Sequence, residues 1–105
     1  MADEKQITVE ENGEVLARAS VSVSEETHDA RAQVHVAPGH LPAGTRQKMA
    51  DAVHDAVSED DGRHLTASVP LGDAELVRGL GERMQDVSLR AAGATSIIEG
   101  QIRPT

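Results

Sequence analysis

No Phe, Tyr or Trp occurs among the 105 residues, so nothing can stack a nucleobase, a sugar ring or a flavin on an aromatic platform. Sheet proteins that read single-stranded RNA through aromatics are thereby excluded, as are most carbohydrate sites. Cysteine is absent too, which removes disulfides, thiolate nucleophiles and sulfur-ligated zinc. Basic residues are scarce: 10 Lys and Arg face 18 Asp and Glu, a formal net charge of -8 that repels nucleic acid and anionic lipid at long range. No apolar run approaches a membrane span, and the acidic start MADEKQ lacks the basic and apolar parts of a signal peptide. These absences predict a soluble cytoplasmic protein, with no membrane contact and nucleic acid disfavoured as a partner.

What is present is periodicity. Ile7 and Val9 alternate with polar residues, and Asn12-Gly13 supplies the pair favoured in tight hairpins, so two strands are expected at once. In EVLARASVSVS one face carries Val15, Ala17, Ala19, Val21 and Val23, the other Leu16, Arg18, Ser20 and Ser22. A third strand follows, ARAQVHV, with Arg31, Gln33 and His35 outward. Met49, Val53, Ala56 and Val57 recur at helical spacing and predict an amphipathic helix. HLTASVPL then reads as a strand, and Asp73 as the N-cap of a second helix whose stripe is Leu76, Val77, Leu80 and Met84. Val87, Leu89 and Ala91 alternate, Gly93 breaks the run, and TSIIEGQI supplies a last strand.

The order is therefore ββ, then βαβαββ. Two one-faced helices suit a sheet covered on one side, so the expected fold is α+β: one domain over residues 1–105, with a mixed or mainly antiparallel sheet of five to six strands and both helices on one face. In element order, residues 30–102 resemble the C-terminal domain of translation initiation factor three and small Alba-type proteins. That resemblance implies RNA binding as a third possibility, carries no shared motif, and departs from those basic proteins in charge.

HVAPGHLPAGTR, residues 35–46, holds Gly39, four residues and Gly44 before Thr45-Arg46. A phosphate-binding loop needs Lys and then Ser or Thr after that glycine, and Pro42 would delete one N–H of its cradle. A turn accounts for every residue: Pro38-Gly39 reverses the chain, Pro42 suits a first helical position and Thr45 could cap. Between these lies an anion site at the helix start, built from His40, Thr45 and Arg46. The five histidines, at 28, 35, 40, 54 and 64, form no ligand pair at helical spacing, so neither metal nor cofactor is expected. His54 reads as a helix flank, and the acids as solvated turns and helix exteriors.

The outward sheet set, Leu16, Arg18, Ser20, Ser22, Arg31, Gln33, His35, Thr66, Ser68, Ser88 and Arg90, contains bases and no acid. Its expected role is to bind through Arg18, Arg31, His35 and Arg90. The first functional expectation is a non-enzymatic interaction protein whose face meets an acidic partner, a second copy in a homo-oligomer or a small anionic ligand. The alternative is an enzyme on an anionic metabolite with His35 as acid or base, since imidazole titrates near neutral pH.

Overall fold

A computed structural model describes residues 4–103; the first three residues of MADEKQ lie outside them. The elements are β1 (Glu4–Glu11), β2 (Glu14–Val23), β3 (Asp29–Val36), α1 (Thr45–Glu59), β4 (His64–Pro70), α2 (Ala74–Gly81), β5 (Met84–Ala92) and β6 (Thr95–Ile102). This is the expected α+β order, folded as one mixed six-stranded sheet in the order β1-β2-β3-β4-β6-β5. Among the described residues only β3 and β4 are parallel neighbours; every other adjacent pair is antiparallel. Asn12 and Gly13 take φ of 53° and 78°, the left-handed pair of a type I′ turn that matches the twist of the strands it joins.

Both helices pack on one face in a single aliphatic core. Small residues on β2 and β3, Ala17, Ala19, Ala30 and Ala32, share one core with the longer Met49, Val53 and Val57 of α1, all three fully buried. Leu65, Val69 and Ile98 of β4 and β6 join Leu76 and Leu80 of α2 in the same core. Each fully buried aliphatic side chain contributes roughly 1.5–3 kcal/mol through the hydrophobic effect, and many such pieces replace the missing aromatics. At the edge, Lys5 bridges β1 to the end of α1 through Glu59 at 3.0 Å and Asp60 at 3.1 Å. No described helix is long and apolar enough to cross a membrane.

Three local expectations are corrected. Met84 is the first residue of β5, not the last of the α2 stripe, because α2 stops at Gly81. Leu89 pairs with Ile98 and so shares the helix-bearing face, yet it is 56% exposed at the edge strand. His54 is fully buried rather than flanking: its Nε2 lies 2.7 Å from the Leu80 carbonyl oxygen and ties α1 to α2. A carbonyl only accepts, so Nε2 carries the proton, and buried Nδ1 has no partner. Protonating Nδ1 would place a charge in the core, and burial accordingly pushes His54 below its ordinary 6.5, against a smaller opposing effect of the Leu80 bond.

The neutral ring's stabilisation is fully present above pH 6.5 and is lost as pH falls through the lower folded value. His54→Gln keeps an N–H for Leu80 without the titration. Urea unfolding at about pH 7.5 and pH 5 should show wild type losing more stability than His54→Gln; equal losses would show that His54 is not the titrating group.

Candidate functional site

The β3–β4 register runs from Asp29 opposite His64 to Gln33 opposite Ser68 and stops. Both strands continue, β3 to Val36 beside Ala17 of β2 and β4 to Pro70 beside Thr95 of β6. A notch thus opens inside the sheet, at the carboxyl ends of its parallel neighbours, where α/β folds place ligand crevices. Pro70 has no N–H with which to extend a ladder. The Ala37 N–H donates to Leu16 O at 2.9 Å, so strand alternation aims the preceding Val36 N–H away from β2, toward the notch. Interior backbone groups of this kind require a partner from solvent or a ligand.

A helix starts beyond each strand end, and the two starts differ. At α2, Asp73 accepts from Leu76 N at 3.1 Å, and Glu75 adds an acid to the first turn; that positive helix end is compensated. At α1 the N-cap is Gly44 at φ 87°, with no side-chain cap and no acid in the first turn. A Cβ added at Gly39 or Gly44 would meet nothing within 4 Å, so no neighbouring side chain crowds these two glycines. The first-turn N–H groups of Arg46 and Gln47 have no intrahelical acceptor, and no side chain caps them. Pro42 and Thr45 do not take their expected places. The helix begins at Thr45, which is buried, and the Thr45 N–H reaches Pro42 O at 3.3 Å.

Of His40, Thr45 and Arg46, therefore, His40 lies exposed in the loop, Thr45 turns inward, and Arg46 is engaged. Arg46 Nε donates to both Asp73 carboxylate oxygens, at 2.9 and 2.8 Å, and Arg46 Nη1 lies 3.8 Å from Glu75. This pair joins the starts of α1 and α2. Spacing alone could not reveal it, since the partners are 27 residues apart.

The uncovered sheet face brings together only part of the predicted set. Arg18 lies directly opposite His35, and the two line a depression of about 400 Å³ with Val15, Leu16, Val36 and Ala37. Arg31 is four residues from His35 on the same strand, about 13 Å away, and Arg90 on β5 is four strand spacings from β2, about 19 Å. The three arginines do not converge. Nor is the face free of acid, as was expected: Glu4 lies opposite Ser22, Asp29 opposite His64 and Glu99 opposite Thr66, and paired residues share a face. His64 is 3.5 Å from Glu99 and 3.9 Å from Asp29. Leu16, expected outward, is buried. Among the described residues no three His, Asp or Glu side chains are grouped so as to hold a metal ion.

No protein-family model matches the sequence, and no curated protein matches it. Solved structures do match the fold. One is a Salmonella typhimurium protein described as an acetyltransferase and solved with its cofactor acetyl-CoA, 18% identical, TM-score 0.63, over 93% of this chain and 63% of that one. A second is the GNAT domain of S. lividans PAT, 12% identical, TM-score 0.66, over 95% and 61%. A third is an acetyltransferase of the GNAT family from Streptococcus pneumoniae, 10% identical, TM-score 0.67, over 96% and 67%. The chain spans less than two thirds of the length of the first two. These matches correct the expectation of a non-enzymatic interaction protein acting through a homo-oligomer or an acidic protein partner, and that of RNA binding: two of these three structures are described as acetyltransferases, one of them solved with acetyl-CoA, and the third as a GNAT domain.

The site's donors fit such a thioester in kind. The uncapped α1 start offers N–H groups to a diphosphate, and a Cβ at Gly44 would meet no other heavy atom within 4 Å. The notch offers backbone groups, Val36 N–H among them, to an amide-bearing arm. No aromatic is present to stack the adenine.

Asp73 performs two tasks that substitution can separate. Asp73→Ser keeps a cap but loses the ion pair; Asp73→Ala loses both. The second variant should be less stable than the first by about 1 kcal/mol, measured by urea unfolding at neutral pH. Equal stability of the two would show that the Leu76 N–H bond contributes nothing.

Proposed function

We propose that this chain is an acyltransferase domain that holds an acyl-coenzyme A thioester in the notch between β3 and β4. The observation that carries the reading is the uncapped start of α1 beside unpaired strand ends, in a fold shared with a structure solved with acetyl-CoA. The N–H groups of Arg46 and Gln47 bind the diphosphate, helped by the positive helix end. Asp73 takes up the charge of Arg46 and holds the two helix starts at a fixed spacing.

Bound there, an acyl thioester supplies an activated acyl carbon: a C–N bond to an acceptor amine forms as the C–S bond breaks, the sulfur keeping the electron pair and taking a proton from solvent. His35, on the unpaired end of β3, accepts the proton released by the amine. The enzyme alternative drawn from the sequence, with His35 as acid or base, is retained in this form. A cytoplasmic setting belongs to the same reading, supported by a chain without cysteine.

Gln47→Glu tests the diphosphate site. Gln47 is exposed and donates to Asp51 at 3.0 Å. A carboxylate there gains from the helix dipole and loses that bond, so stability should change by less than about 0.5 kcal/mol. Affinity for acetyl-CoA, by isothermal titration calorimetry, should fall about tenfold through charge repulsion. Wild type that does not bind acetyl-CoA, or a Gln47→Glu variant that binds it equally well, would contradict the proposal.

A further inference from the structure

We infer that the acceptor is a small amine carrying an anionic group on a short aliphatic body, with Arg18 holding the anion beside His35. The inference rests on the acyl-transfer reading and names the other substrate of the same site.

Access decides where an acceptor enters. On the helix-bearing face Met49 of α1, Val69 of β4 and Leu76 of α2 are fully buried in one core. The uncovered face is the remaining approach, and there the depression at Arg18 and His35 adjoins the unpaired end of β3. Its lining includes apolar Val15 and Leu16, the imidazole and one guanidinium, while the Val36 side chain packs on the helix-bearing core; no carboxylate lines it.

The charge pattern selects the acceptor. Lys5, Arg46, Arg63 and Arg83 each lie within 4.0 Å of a carboxylate, whereas among the described residues Arg18, like Arg31 and Arg90, has no such partner, and of these three it alone shares a depression with His35. Asp29 sits six residues from His35 along β3, about 20 Å away, and Glu4 is four positions from Arg18 in register, about 13 Å. Glu10, opposite Val15, is the nearest acid in register and is not part of the lining. A polyamine or a lysine-rich tail would find a cation where it needs a carboxylate. An Arg fork instead matches carboxylate or phosphate. Small size follows from the volume, about 400 Å³ and open to solvent.

The test uses the whole chain and four commercially simple amines: norvaline and β-alanine as amino carboxylates, 2-aminoethyl phosphate, and butylamine as the uncharged-tail control. Titrations followed by NMR, without acetyl-CoA, should shift the Arg18 Nε–H and His35 ring signals saturably with an anionic amine and leave them unmoved with butylamine. The carboxylate and phosphate arms show which anion is preferred. With acetyl-CoA present, thiol release should be faster with the anionic amine, and Arg18→Gln should raise its KM about tenfold while acetyl-CoA affinity and the melting temperature stay unchanged. Arg90→Gln, on the distant edge strand, should behave as wild type. Acetyl-CoA binding with butylamine used as well as the anionic amines contradicts this inference alone. An anionic amine that binds at Arg18 in a chain that does not bind acetyl-CoA contradicts the acyl-transfer reading and leaves the anion pocket standing.

Discussion

Two parallel strands that pair for part of their length and then separate make every other feature of the site possible. Up to Gln33 and Ser68 the ladder holds β3 and β4 as the centre of the sheet; beyond it, each strand is held only from its outer side, by β2 and by β6. The separation leaves backbone groups in the sheet interior without a strand partner, which a folded chain tolerates where solvent or a ligand can reach them. Because β3 and β4 run in the same direction, α1 and α2 both start at this end, and their positive ends meet there.

The two helix starts are used differently. Asp73 caps α2 and neutralises Arg46 in one stroke, so that start is closed to a ligand, while Gly44 leaves α1 uncapped and open. Farther along the same helix pair, His54 fastens α1 to the Leu80 carbonyl. Two polar ties between α1 and α2, one at each end of their contact, hold the helix layer beneath a sheet whose own side chains are mostly small. These ties fix α1 against α2 on the helix side of the sheet.

Much of the fold could be read from the residues. Period-two alternation in EVLARASVSVS and ARAQVHV, the Asn12-Gly13 turn and the Asp73 cap each encode a local geometry that the chain adopts. What failed was information carried between elements. The Arg46–Asp73 pair joins positions that only the βαβ crossover brings together. Glu99 lies within TSIIEGQI, and the register that seats it beside Thr66 depends on β6 inserting between its sequence neighbour β5 and the distant β4. His54 looked like a flank residue because its helix position says nothing of α2, which covers it. The notch is the clearest case: no residue pattern announces that pairing stops, and Pro70 is its one visible trace.

The acyl-transfer reading requires the Val36 N–H to be an open ligand contact. Amide hydrogen exchange by NMR, without and with saturating acetyl-CoA, measures this directly. Val36, together with the first-turn amides of Arg46 and Gln47, should exchange rapidly in the free protein and become protected in the complex, while Ala32, within the paired stretch, exchanges slowly in both. Val36 protected as strongly as Ala32 in the free protein, or unaltered when acetyl-CoA saturates, would contradict the account.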